Sequence, residues 1–235
     1  MKATNILFLV FVSSVLLGMS GFASFKSNNR NISSLEVKFK GNGALFLSPE
    51  VVNNMLIQSQ DSLFFQQKDV VALKLIEQRL LANPTIKNVQ LYTIPQGELF
   101  VEIEERTPVL RVIGETSFYI DSTGAKMPLS NRHTATVPLF YGAIENANLK
   151  QVLRLIKSVN SDSFLKQELI HLKIQNNQLV LGLRSHPFEV IWGKPDGFVD
   201  KVKKLKRVCA YYVNTNDAPP VKLNLTYSQQ VVASY

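Results

Sequence analysis

Cysteine is almost absent from this chain of 235 residues, which contains Cys209 alone. A single cysteine cannot form an intramolecular disulfide, so the fold must depend on a hydrophobic core. A lone cysteine on the apolar face of a helix is usually a small buried side chain, and we predict this role for Cys209. Hydrophobic residues make up 46% of the chain and charged residues 19%, a balance typical of globular domains.

The sequence also lacks the motifs of common enzyme classes. Its three histidines, His133, His171 and His186, have no partners at the spacing of metal ligands. No serine lies in a Gly-x-Ser-x-Gly turn, and the glycines at 41 and 43 do not open a phosphate-binding loop. We therefore expect no enzymatic activity, catalytic residue, metal, cofactor or small-molecule substrate.

Three glutamates, Glu102, Glu104 and Glu105, suggest acid–base chemistry as an alternative. Glu102 and Glu104, however, alternate with Val101 and Ile103, which is the pattern of a half-buried strand with its charges facing water. We favour this structural interpretation.

Basic residues outnumber acidic ones, giving a net charge of +8, and the excess lies mainly after Lys150. The densest run, residues 201–207, lacks the interleaved aromatic side chains of a nucleic-acid stacking platform. Five apolar residues recur there at helical spacing, and the charges occupy the remaining face: Val199, Val202, Leu205, Cys209 and Tyr212. We favour a solvated helix surface over a site for nucleic acid or anionic lipid.

Charge is missing altogether between Lys2 and Lys26. This uncharged run is just long enough to span a bilayer core of about 30 Å as a helix. We therefore expect residues 1–26 to be a short cytoplasmic stub and a transmembrane anchor. The alternative is a cleaved signal peptide, with Gly21-Phe22-Ala23 as the cleavage signal and Ser24 as the new amino terminus.

A polar spacer is predicted at residues 27–31, and residues 32–106 then alternate between strand and helix patterns. A strand is predicted at 35–40, helices begin near Ser48-Pro49 and Asp69, and strands follow at 86–94 and 98–104. Asn83-Pro84 ends the second helix, and residues 95–97 form a turn. The order is strand, helix, helix, strand, strand.

Residues 107–235 are richer in strand patterns. We predict short strands at 109–113, 117–121 and 125–129, a hairpin around Asn176-Asn177, and strands at 188–192 and 221–232. Helices are predicted at 148–159 and 198–213. The fold class is therefore α+β. The carboxyl-terminal domain is predicted to be a mainly antiparallel β domain with flanking helices.

Several short segments in order resemble the bacterial cell-division family FtsQ, called DivIB in some lineages. They are FKGN at 39–42, LSPEV at 47–51, NPTIK at 83–87, EERTPV at 104–109, YIDSTG at 119–124, MPLS at 127–130, WG at 192–193, KVKKL at 201–205, KLNLTY at 222–227 and QVV at 230–232. The resemblance implies a POTRA domain at 32–106 and a β domain at 107–235.

The resemblance also implies a role without catalysis. Family members are divisome scaffolds, with a single pass through the cytoplasmic (inner) membrane and a periplasmic bulk at the division site. They bind the bitopic proteins FtsB and FtsL. The cytoplasmic tail is shorter here than in many members, which removes a cytoplasmic contact, and Gln229-Gln230 stands where Asn-Gln is usual.

The carboxyl-terminal strand is the expected partner-binding site. The resemblance places the FtsB contact at about 221–232, and a terminal strand often lies at a sheet edge where another chain can pair. The candidate residues are Lys222, Leu223, Asn224, Leu225, Tyr227, Gln230 and Val231. The alternative function is a POTRA-containing component of an outer-membrane protein assembly or secretion system, which needs several POTRA copies where this chain has room for one.

Overall fold

The computed structural model describes residues 3–28, 34–41, 43–58, 70–94, 98–144, 146–215 and 217–235, without the side chains of 3–7, 9, 23–28, 57–58, 70–72 and 146–147. The chain divides into two compact units, Met1–Glu105 and Arg106–Tyr235. Each unit has its own hydrophobic core.

The first element is the helix α1, Ala3–Asn28. The predicted polar spacer is therefore wrong at Ser27 and Asn28, which continue the helix because neither residue is a glycine or proline that would end it. The rest of that spacer lies outside the described residues. Across the described residues, we find no helix whose length and apolarity suffice for crossing a membrane.

Unit 1 continues in the order predicted from the sequence. Its elements are β1 (Ser34–Phe39), α2 (Pro49–Gln58), α3 (Val70–Leu81), β2 (Ile86–Thr93) and β3 (Glu98–Glu105). In the sheet, β3 lies in the centre, parallel to β1 and antiparallel to β2. The predicted helix start at Asp69 and the turn at 95–97 lie outside the described residues.

Local side-chain bonds explain where these elements begin and end. Ser48 Oγ accepts a hydrogen bond from the Val51 N–H at 3.3 Å, so it caps α2 as predicted. Asn83 Oδ1 accepts from the Thr85 N–H at 2.9 Å, which holds the turn between α3 and β2. The Glu105 carboxylate accepts bonds from the main-chain N–H groups of Leu45, Phe46 and Leu47, so β3 fixes the loop before α2.

Unit 2 contains nine strands and three helices among its described residues. They are β4 (Pro108–Ile113), β5 (Phe118–Asp121), β6 (Lys126–Met127), β7 (Leu139–Tyr141), α4 (Asn146–Val159), α5 (Ser163–Glu168), β8 (Leu169–Gln175), β9 (Gln178–Leu183), β10 (Glu189–Gly193), α6 (Phe198–Asn214), β11 (Lys222–Asn224) and β12 (Val232–Ser234). The nine strands form one sheet in the order β12-β11-β10-β9-β8-β7-β4-β5-β6. Most neighbours are antiparallel, as predicted, and the parallel pairs are β10 with β11, β4 with β7, and β7 with β8.

The core of unit 2 packs helix residues against the sheet. Val202, Leu205 and Cys209 of α6 are buried against strand residues that include Trp192, which confirms the predicted role of Cys209. Burial raises the pKa of the Cys209 thiol to about 12. Val199, predicted to lie on the same apolar face, is instead exposed at the start of the helix.

The predicted continuous strand at 221–232 is wrong. The structure has two short strands in that region, β11 and β12, joined by residues 225–231. Asn224 Oδ1 accepts bonds from the Thr226 N–H at 2.9 Å and the Thr226 hydroxyl at 2.7 Å. This side-chain bond takes up a main-chain donor that a longer strand would use, and so it ends β11.

Candidate partner-binding surface

The carboxyl-terminal strands form one end of the nine-stranded sheet. β11 pairs with β10 on one side, with Leu223 opposite Val190, and with β12 on the other, with Leu223 opposite Ala233. Among the described strands, β12 has a neighbour on one side only. The open side of such a strand exposes main-chain groups to which another chain can bond. The edge strand at this end of the sheet is therefore β12, while all seven predicted site residues precede it.

The predicted site residues fall into two groups. The side chains of Leu223 and Leu225 are buried in the core, and Val231 is partly buried against it. Lys222 and Asn224 are half-buried, whereas Tyr227 and Gln230 are exposed. The alternation expected from the sequence, with Lys222 and Asn224 opposite Leu223 and Leu225, is present up to Leu225. The surface open to a partner is thus formed by the later residues of this set.

Three residues that are not among the seven predicted site residues complete this surface, although Val232 lies within the predicted contact at 221–232. Val232 and Ser234 of β12 are exposed, and the side chain of Tyr235 is 79% exposed. An apolar or aromatic residue exposed beside an open strand edge is typical of a binding surface. The signal available in the sequence is the apolar run Val231-Val232-Ala233, which one serine separates from Tyr235.

A shallow groove of about 280 Å³ lies between α6 and the two terminal strands. Its walls come from the helix on one side and the strands on the other: Arg207, Val208, Tyr211, Tyr212, Leu223, Val231 and Ala233. A chain added beside β12 would direct alternate side chains toward the face on which Ala233 lies. The groove therefore offers an apolar position next to the open edge.

Two tyrosine hydroxyls of α6 in the groove wall bond to residues that follow the helix, and one of these residues is Tyr235. Tyr212 Oη lies 3.0 Å from Tyr235 Oη, and Tyr211 Oη donates to Asp217 Oδ2 at 2.5 Å. The bond with Tyr235 raises the pKa of Tyr212 to about 12, and the bond to Asp217 raises the pKa of Tyr211 above its ordinary value. Both hydroxyls therefore stay protonated at neutral pH and keep their donors.

A glycine permits the close approach of the segment after β11 to the end of β10. Gly193 has a φ of +74°, and a Cβ placed there would lie 2.7 Å from Thr226 Cγ2. Any side chain at this position must displace the side chain of Thr226, the second residue after β11. The arrangement of the terminal segment therefore depends on Gly193 as well as on its own residues.

Net charge is concentrated in unit 2. Residues 106–235 contain 17 lysines and arginines against 9 aspartates and glutamates, whereas residues 1–105 contain 9 of each. Such a charge raises the rate of association with an acidic partner, and salt weakens that effect. Arg207, on the wall of the groove, is exposed.

The glutamates and the histidine considered as alternative sites take part in ordinary structural contacts. Within the described residues, no group of three His, Cys, Asp or Glu side chains is arranged to hold a metal ion. Glu104 pairs with Lys87, and Glu102 lies 4.0 Å from Lys40, so these glutamates belong to a charged sheet surface. His171 packs beside Tyr141, and burial lowers its pKa.

Comparison with known families identifies a family for the second part of the chain. The family described as "FtsQ/DivIB, C-terminal related" matches residues 107–234, which is more than half of the chain. Comparison with curated proteins gives no match of sufficient significance.

Proposed function

Because the chain belongs to the FtsQ/DivIB family, we propose that it is a non-catalytic scaffold of bacterial cell division whose C-terminal unit binds other division proteins. The partners proposed are FtsB- and FtsL-like bitopic proteins. The observation that carries the proposal is the open edge of β12, flanked by the groove and by the exposed side chains of Tyr227 and Tyr235.

The proposed mechanism is strand addition. A partner segment pairs with β12, main-chain hydrogen bonds supply most of the contact, and side chains that enter the groove supply specificity. An interface of about 1,000 Å² suffices when both proteins are held in the same membrane, because anchoring raises their effective concentration.

The test is co-purification from the host bacterium with a tagged chain. The Ser234 carbonyl accepts a bond from the Val221 N–H, so the main-chain groups of Ser234 face β11 and those of Ala233 face the open side. Ala233→Pro therefore places a proline on the open edge of β12, and Lys126→Pro is the matched control in β6, the strand at the opposite edge. Proline is tolerated on edge strands but cannot donate a main-chain bond and hinders a new neighbour. We expect Ala233→Pro and Tyr227→Lys to lose FtsB- and FtsL-like proteins, and Lys126→Pro to retain them.

Normal recovery of both partners with Ala233→Pro and Tyr227→Lys would show that the proposed surface is wrong. Removing residues 232–235 is a second variant that leaves the buried Leu223 and Leu225 in place. A truncation before Val221 is less informative, because it removes these two core side chains and unfolds unit 2.

We further propose that α1 anchors the chain in the cytoplasmic membrane, with both units on the periplasmic side at the division site. Support comes from the uncharged run between Lys2 and Lys26 and from apolar side chains of α1 that are exposed, such as Phe8, Phe11 and Leu17. N-terminal sequencing tests the anchor: a mature chain that begins at Ser24 would contradict it, and one that begins at Met1 or Lys2 supports it.

For unit 1 we propose a POTRA domain at 32–106. The order β1-α2-α3-β2-β3 and the central place of β3 support this assignment. In this account the unit is a rigid surface for further division proteins. Deletion of residues 34–105, which removes all strands of this unit, is expected to leave FtsB binding while impairing division.

A further inference from the structure

Residues 225–231, which connect β11 to β12, are held from outside by a lysine of α6. Lys204 Nζ donates to the main-chain carbonyl oxygen of Tyr227 at 2.7 Å and to that of Ser228 at 2.5 Å. The contact joins residues 23 and 24 positions apart in sequence, so it forms only when α6 packs on the sheet.

The two bonds act at the point where the segment is most exposed. Every residue from Thr226 to Gln230 is exposed, so burial does little to fix their conformation. At the start of the segment, Leu225 N–H donates to the Ile191 carbonyl at 3.0 Å. Lys204 then fixes the carbonyls of Tyr227 and Ser228, and with them the direction in which the chain runs to β12.

Neighbouring lysines of α6 show that this is a specific contact. Lys201, one turn earlier, donates to the carbonyls of Trp192 and Lys194, and so holds the loop after β10. Lys203 is exposed on another side of the helix. Residues three apart on a helix share a face, so Lys201 and Lys204 form a pair that binds two successive loops.

We propose that Lys204 is a positioning residue for partner binding: it holds residues 225–231 so that Tyr227 and β12 are presented to a partner in one arrangement. The inference rests on the proposed function, because it presupposes that a partner binds at β12. Lys204 itself is not among the residues proposed to contact that partner. A segment ordered before binding does not pay its ordering entropy on association, so loss of the tether weakens binding without removing any contact.

The experiment compares Lys204→Met with Lys203→Met in the full chain, reconstituted in nanodiscs, against the purified FtsB-like protein of the same bacterium. Both substitutions remove one positive charge from α6, so they change electrostatic attraction equally. We expect Lys204→Met to raise the dissociation constant about tenfold. Lys203→Met is expected to change it less than about twofold, and Lys204→Arg to retain most of the affinity.

A second readout separates positioning from a general loss of stability. Hydrogen–deuterium exchange of the main-chain amides at 226–231 is expected to become faster in Lys204→Met. The urea midpoint reported by Trp192 fluorescence is expected to stay within error of the original chain. Should Lys204→Met fail to fold, Lys204→Arg and Lys204→Gln replace it, and equal affinity of these two variants would overturn the inference.

The Ala233→Pro variant distinguishes the two hypotheses. If Ala233→Pro binds normally, the proposed surface itself is wrong. If Ala233→Pro fails to bind while Lys204→Met and Lys203→Met bind equally well, the surface stands and the positioning role of Lys204 is refuted.

Discussion

Replacing Asp121 by asparagine removes a single buried charge interaction from unit 2. The Asp121 side chain is 4% exposed, and its Oδ2 accepts a bond from Arg106 Nη1 at 2.8 Å. Its Oδ1 accepts from the Thr123 N–H, the Thr123 hydroxyl and the Ala125 N–H. Asparagine can keep the Oδ1 bonds but turns an amide donor toward Arg106, so the substitution acts mainly on the charged pair.

The magnitude follows from the burial of both partners. Arg106 is 23% exposed, so solvent screens the pair only slightly, and a hydrogen bond to a charged group contributes about 2 kcal/mol. We expect Asp121→Asn to lower the free energy of unfolding by this amount. Asp121→Ala leaves Arg106 and two main-chain donors unpaired and is expected to cost about 3 to 5 kcal/mol.

Urea unfolding followed by tryptophan fluorescence measures the effect, because the chain's single tryptophan, Trp192, is buried in the core of unit 2. The control is Asp196→Asn, which breaks an ion pair between Asp196 and Arg154. Both side chains of that pair are exposed, Asp196 to 73% and Arg154 to 70%. That change is expected to cost less than about 1 kcal/mol. An equal loss from Asp121→Asn and Asp196→Asn would refute the reasoning.

The stability difference between the original chain and Asp121→Asn is expected to depend on pH, because Asp121 titrates and asparagine does not. Burial opposes ionisation of Asp121, but the bonds from Thr123, Arg106 and Ala125 outweigh it and hold its pKa below the ordinary value of 3.8. A carboxyl with a lowered pKa in the folded state stabilises the protein above its ordinary pKa, and this contribution is lost as the pH falls through the folded value. The difference between the original chain and Asp121→Asn is therefore expected to be full at pH 6 and to shrink below about pH 4.

Three further predictions concern other parts of the fold. Glu105→Ala leaves the N–H groups of Leu45, Phe46 and Leu47 without their carboxylate acceptor and is expected to lower the free energy of unfolding of unit 1 by about 1 to 3 kcal/mol. Unfolding followed by circular dichroism measures this loss, with Glu104→Ala as the control. Equal unfolding midpoints of the two variants would contradict the prediction. Gly182→Ala places a Cβ 2.0 Å from His171 Cε1 and is expected to lower the free energy of unfolding by about 1 to 3 kcal/mol. The loss is expected to be much smaller when His171→Ala is already present. An equal loss with and without His171→Ala would contradict the clash with His171. Cys209, with its pKa raised to about 12 by burial, is expected to react with a thiol reagent only after urea unfolding, and rapid labelling of the native chain would contradict its burial.

Local signals in the sequence predicted the elements that local chemistry determines. The hairpin at Asn176-Asn177 joins β8 to β9, and both asparagines have positive φ, at 51° and 59°, as tight two-residue turns require. The Ser48 cap is likewise visible in the sequence, because a cap and its helix lie within a few residues of each other.

Elements that depend on distant contacts were missed. β7 has three residues and lies between β4 and β8 in the sheet, so it exists through pairing with strands far away in sequence. The short helix α5 begins at Asp162, which accepts from the Leu165 N–H and pairs with Lys206 of α6. A six-residue helix has little stability of its own, and no periodic pattern marks it.

In the candidate site, too, local signals predict one part, and contacts distant in sequence determine the rest. The alternation at Lys222, Leu223, Asn224 and Leu225 was readable because a strand has a period of two. That the strand breaks after Asn224, and that β12 is the edge, depends on the order of nine strands and on side-chain bonds such as those of Asn224 and Lys204. The sequence carries no local sign of either.

Protection of the β12 amides on partner binding tests the central claim most directly. The full chain in nanodiscs is subjected to hydrogen–deuterium exchange with and without the FtsB-like protein, and β6, at the opposite edge of the sheet, is the internal reference. If a partner strand pairs with β12, exchange at residues 232–235 slows when the partner is added, while exchange at Lys126 and Met127 does not change. A complex that forms with no change in exchange at 232–235 would contradict the account.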